Sequence, residues 1–147
     1  MIHKSDKMPL FVFLVLSVSL FLSACSAGNQ KNLVLMSLDK MPAEVQAAPV
    51  SVQQAYQFAA ANPDLMKQIP CYCGCGAMGH KSNYACYVQD VDATSGIIFF
   101  DTHALGCSIC VDITQDAMRL LKSGKSPQEI KAYVDATYGQ YGPSNIP

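Results

Sequence analysis

Apolar residues recur at helical spacing in several stretches of this chain, and proline, glycine and short polar residues mark the ends of each. Val52, Ala55, Tyr56 and Ala59 fall on one side of a 3.6-residue repeat, so with Ser51 as N-cap the pattern predicts an amphipathic helix to about Ala61. Asn62-Pro63 breaks it, Asp64 to Gln68 has room for one further helical turn, and Pro70 delivers the chain onward in an extended or turning conformation. Downstream, Ala85–Val91 and Gly96–Phe100 read as a strand pair around an Asp92-Ala93-Thr94-Ser95 turn, although the first of these segments reads equally as helix. Asp112 or Thr114 caps a helix through Leu121 that Gly124 stops. Ser126-Pro127-Gln128-Glu129 supplies the cap, first-position proline and acidic third residue of another helix, with Ile130, Tyr133, Val134, Thr137 and Tyr138 as its apolar stripe. The fold class this predicts is mainly α: a small bundle of about three helices with a cysteine-rich loop insertion and a short β-hairpin.

The N-terminal pattern is of another kind. Lys4 and Lys7 precede an uncharged, largely apolar run from Pro9 to Leu22, too short to span a membrane comfortably and closed by small residues, which is the anatomy of a secretory signal. Residues 1–24 are therefore expected to be removed. Residues 25–48 are polar and rich in small side chains apart from a Leu33–Leu38 island, and read as a poorly ordered tether. Residues 49–141 form the expected cysteine-rich domain and 142–147 an unstructured tail. The formal charge of −1 offers no electrostatic case for nucleic acid as a partner.

Chemistry is concentrated in two places. Cys71-Tyr72-Cys73-Gly74-Cys75 opens a cluster that continues through Met78, His80 and Cys86, and His103, Cys107 and Cys110 form a second. Thiolates at alternate positions with glycine between them can converge on one point, since glycine takes left-handed backbone angles freely. Three thiolates with Cys86 to close the shell make a soft donor set, which favours Cu(I); zinc stays open, because four of these ligands can also make a tetrahedron. If residues 101–110 are helical, His103, Cys107 and Cys110 stand at i, i+4 and i+7 and share a face. His103 then either joins the site or hydrogen-bonds a carboxylate such as Asp101. His80, in a glycine-rich stretch, leans toward solvent and stands with Met78 as a secondary ligand. Tyr72, Tyr84 and Tyr87 are expected to cover the cluster. The scattered aspartates read as caps and turn formers, and no phosphate loop or nucleophilic serine motif is present.

Two other uses of the six cysteines beyond Cys25 remain open. An exported domain with an even count is where disulfides are expected, although positions two apart bridge only with strain. Catalytic thiol exchange is the other.

Three resemblances add to this. Leu22-Ser23-Ala24-Cys25 resembles the lipobox of bacterial lipoproteins, which implies that Cys25 becomes the lipid-bearing first residue of an extracytoplasmic, membrane-anchored protein. Pro70-Cys71-Tyr72-Cys73-Gly74-Cys75-Gly76, followed by Gly79-His80, Cys86 and Asp101 to Cys110, resembles the bacterial lipoprotein family named for its PCYCGC motif. Cys107-Ser108-Ile109-Cys110, a helix, Gly124-Lys125-Ser126, a helix and Tyr138-Gly139 are similar to the cytochrome c maturation thiol reductants. That likeness implies a three-helix bundle and an exchange role for Cys107 and Cys110 alone. The expectation carried forward is a lipid-anchored envelope protein with no assigned catalytic residue. It binds Cu(I), or zinc, through Cys71, Cys73, Cys75, Cys86, His103, Cys107 and Cys110, and passes the ion to a metal-receiving envelope protein. A thiol-exchanging partner would replace that receiver on the reductant reading.

Overall fold

The computed structural model describes residues 31–146. The signal-like run and the proposed lipid-bearing Cys25 lie outside the described residues. Five α-helices are present among those described: α1 (Ala43–Gln46), α2 (Val50–Ala61), α3 (Pro63–Met66), α4 (Ser108–Lys122) and α5 (Pro127–Tyr138). Strands β1 (Val88–Val91) and β2 (Ile98–Phe100) pair antiparallel, Val88 opposite Phe100 and Val91 opposite Ile98, with a bulge between Val88 and Asp90. The mainly helical fold with one hairpin is as the pattern of apolar positions predicts. No helix among the described residues is long and apolar enough to cross a membrane.

Three helices form the body. The long helix α4 packs against both α2 and α5, burying Val111, Ile113, Ala117 and Leu120 against Tyr56, Phe58 and Ala59 of α2 and Ile130, Val134 and Tyr138 of α5. Each fully buried Ile, Val or Phe contributes about 1.5–3 kcal/mol of apolar burial. Helix α5 starts where its sequence says: the Ser126 side chain accepts from the Glu129 N–H while the Glu129 carboxylate accepts from the Ser126 N–H, a reciprocal capping box with Pro127 in the first turn.

Several boundaries differ from expectation. Helix α2 begins at Val50 after Pro49, so Ser51 lies inside the first turn and is not the cap. Helix α4 begins at Ser108, four residues before Asp112, because Cys107 takes the extended N-cap conformation and the first turn can then bury Cys110 and Val111. A continuous helix over residues 101–110 does not form: His103–Leu105 is a 3-10 turn, and Gly106 and Cys107 separate it from α4. The segment 83–86 is likewise a 3-10 turn, which shortens the first strand to Val88–Val91. Tyr133 is exposed, its ring lying under the Arg119 guanidinium at 5.3 Å, so α5 buries a narrower stripe than its sequence suggests. The expected tether is partly core: Met41 and Val45 are buried, and Leu33, Met36 and Leu38 are partly buried against the core.

Candidate metal centre

The motif loop enters from buried Ile69 and Pro70, and its turn depends on Gly74. That residue has φ +84°, between Cys73 and Cys75, which reverses the chain so that alternate sulfurs point to one side. The second cysteine stretch arrives on the first turn of α4. A buried polar network fixes it there: Asn83 Nδ2 donates to Thr114 Oγ1 (2.8 Å), Thr114 Oγ1 donates to the Tyr87 oxygen (2.8 Å), and the Tyr87 hydroxyl donates to the Cys110 carbonyl (2.7 Å). Residues 83–87, which carry Cys86, and the start of α4, which carries Cys110, are thereby held in register.

The two stretches meet. Cys71 Sγ lies 3.4 Å from Cys73 Sγ and 3.4 Å from Cys110 Sγ, Cys73 Sγ 3.6 Å from Cys110 Sγ, and Cys75 Sγ 3.6 Å from Cys86 Sγ. All six described cysteines are unbridged. A tetrahedral shell with metal–sulfur bonds of about 2.3 Å separates its sulfurs by roughly 3.8 Å, so these spacings suit ligation of a shared ion. Cys73 Sγ is also 3.4 Å from His103 Nε2. Four overlapping groups have donor atoms mutually within 4.8 Å: Cys73, His103, Cys107 and Cys110; Cys75, His80, Cys86 and His103; Cys71, Cys86 and Cys110; and Cys71, Cys73 and Cys75. These Cys/His groups can hold a metal ion.

The histidines are set by one carboxylate. Asp101 Oδ1 accepts the His103 backbone N–H at 2.7 Å, and Asp101 Oδ2 stands 3.4 Å from His80 Nε2. His80 is therefore turned inward, with its side chain 13% exposed, and does not face solvent as expected. Its Nδ1 is buried without a hydrogen-bond partner. An imidazole that faces a carboxylate with one nitrogen and has no protein partner at the other has the arrangement of a metal ligand beside its orienting partner. His103 does touch Asp101, but through its backbone, which leaves the ring for Cys73. Met78, the other secondary ligand expected, is 59% exposed.

Cys71, Cys75, Cys86 and Cys110 are buried, whereas Cys73 and Cys107 are half-buried. Hydrogen bonds from Cys110 and Cys86 push the Cys71 thiol down to about 2. Hydrogen bonding to Cys71 and Cys86, with burial, pushes Cys110 up. Burial first, then neighbouring sulfur, raises Cys73 and Cys75. Such a knot shares protons among sulfurs and releases the remaining ones to solvent when a cation binds the thiolates. Thiol exchange asks for an exposed thiolate of depressed pKa, and buried Cys110, with its raised pKa, is poorly suited to it.

Two residues not anticipated as part of the site support it. Asn145 Oδ1 accepts the Cys71 N–H at 2.7 Å, its own N–H donates to the Cys71 carbonyl, and its Nδ2 lies 3.5 Å from Cys75 Sγ, so the expected loose tail is a clamp on the motif. No local signal marks Asn145. Asp101 is the other, and its position two residues before His103 is the one hint the sequence contains. Among the tyrosines, Tyr72 donates to Asp135 Oδ1 of α5, Tyr87 underlies Cys110, and Tyr84 is buried with Lys67 over its ring.

No curated protein and no solved structure matches this chain. The likeness of residues 107–139 to the cytochrome c maturation thiol reductants is therefore carried by no match found. A family model does match: the one described as "Protein of unknown function with PCYCGC motif" covers residues 14–147. With Pro70 to Cys75 reading Pro-Cys-Tyr-Cys-Gly-Cys at the centre of the sulfur cluster, this chain belongs to the PCYCGC-motif family.

Proposed function

We propose that this protein binds a soft metal ion, Cu(I) foremost, and serves as a chaperone, store or scavenger for it on the outer side of a bacterial membrane, anchored through lipid on Cys25. The observation that carries the reading is the convergence of six unbridged sulfurs and two imidazole rings from stretches about thirty residues apart. Thiolate-rich donor sets favour Cu(I) over harder ions, while the two histidines keep zinc as the second candidate. The lysines, the short apolar run and Leu22 to Cys25 support the anchor and the location.

The exposure pattern supports exchange at one edge. Cys107 lines a groove of about 330 Å³ together with Ser51, Val52, Leu105, Val111 and Asp112. A receiving protein's thiolate that enters there meets Cys107 first and draws the ion out by stepwise ligand replacement, while the four buried sulfurs hold it otherwise. Reduced protein, purified without oxygen, should hold Cu(I) against a chromogenic Cu(I) chelator, and the Cys71→Ser/Cys73→Ser/Cys75→Ser triple variant should surrender it. Equal retention by the two, or uptake by neither, refutes the proposal. Zinc retained in preference to copper in the same competition replaces Cu(I) with the second candidate.

A further inference from the structure

The donors do not surround a single point. Cys73, His103, Cys107 and Cys110 form one lobe, and Cys75, Cys86 and His80, with His103 at their edge, form another. Cys107 belongs to the first lobe alone and His80 to the second alone. Cys71 belongs to neither quartet, yet its sulfur is grouped with Cys73 and Cys110 of the first lobe and with Cys75 and Cys86 of the second. It stands between the lobes with two sulfurs of each within reach, and a thiolate has lone pairs enough to bind two soft cations at once.

We propose that the centre is dinuclear: one ion sits in the Cys73/His103/Cys107/Cys110 lobe, a second in the Cys75/Cys86/His80 lobe, and the Cys71 sulfur bridges them. This rests on the soft-metal reading and specifies its stoichiometry. A single ion takes about four ligands at most in such sites, which leaves half of these eight donors without a role. The second lobe is built as a site in its own right, because Asp101 orients His80 and the buried Nδ1 of that ring has no protein partner. Charge points the same way. Several buried thiolates around one monovalent ion leave uncompensated negative charge out of water, and a second cation offsets part of it.

Native mass spectrometry of the reduced full chain, titrated anaerobically with Cu(I), tests this. The expected result is saturation at two ions per chain, with the two-ion species already dominant over the one-ion species at half saturation, because the shared sulfur couples the sites. Cys71→Ser should abolish that coupling and let the one-ion species accumulate. X-ray absorption of the loaded wild-type protein should show a copper–copper vector, a readout that does not depend on how well the variant folds. Saturation at one ion overturns the dinuclear inference and leaves the soft-metal function standing, whereas no uptake overturns the function itself. Two ions without a copper–copper vector, or coupling undiminished in Cys71→Ser, overturns the bridge.

Discussion

The carboxylate of Asp101 accepts the His103 N–H at one oxygen and faces His80 Nε2 at the other, so one side chain sets two of the eight donors. Asp101→Asn keeps an acceptor for His103 and removes the charge that orients His80. Metal affinity should fall by on the order of tenfold, as for partners of ligating histidines in general. Competition titration checks this, and an unchanged dissociation constant with an unchanged thermal midpoint would assign Asp101 to turn formation alone. Proton balance gives a second expectation. Cys73, Cys75 and Cys110 have raised pKa values and carry protons at neutral pH in the metal-free protein. A bound ion must displace those protons, so apparent affinity should strengthen as pH rises and weaken as it falls. Calorimetry in buffers of different ionisation enthalpy would read the released protons directly, and a pH-independent affinity would contradict it.

At the scale of elements, the start of α5 shows what local sequence can specify. Ser126, Pro127 and Glu129 form the cap by contacts no more than three residues apart, so nothing distant is needed to read it. Ser126→Ala should cost about 1 kcal/mol, seen as a lower denaturation midpoint with metal-site spectra unaltered. Hydrogen bonds from the Ser126 backbone, with Lys125, hold Glu129 at about 2, below its ordinary 4.5. A carboxylate lowered on folding stabilises above about pH 4.5, and that contribution drains away as pH falls toward 2. Chemical denaturation across this range should show the loss in wild type and a smaller one in Glu129→Gln. Helix α4 shows the opposite case. Its own residues offered Asp112 and Thr114 as caps, yet it begins at Ser108, since burial of Cys110 and Val111 and the Tyr87 hydrogen bond to the Cys110 carbonyl outweigh the weaker preference of cysteine at an N-cap.

The whole molecule closes on its C-terminus. Asn145 reaches back to both backbone groups of Cys71 across a separation of 74 residues, and Gly142 passes so close to the Tyr72 carbonyl that a Cβ there would meet it at 2.9 Å. Asn145→Ala should loosen the motif loop, and the buried thiols should then react faster with a thiol reagent in the metal-free protein. Loaded protein should show a smaller difference, because the ion replaces the clamp. Equal rates in wild type and variant, both metal-free, would show that the tail rests on the motif without holding it.

From its order of residues alone this chain determines the donor inventory, the mainly helical class, the α5 cap and the turn at Gly74, since each depends on side chains a few positions apart and on the intrinsic preferences of glycine, proline and serine. Tertiary structure decided which sulfurs group together, that Cys71 stands between the two lobes, that His80 faces inward, and that Asp101 and Asn145 serve the site. Those outcomes follow from packing α4 against the 83–87 segment and the tail against the motif. The contacts involved lie tens of residues apart, and no local periodicity encodes them.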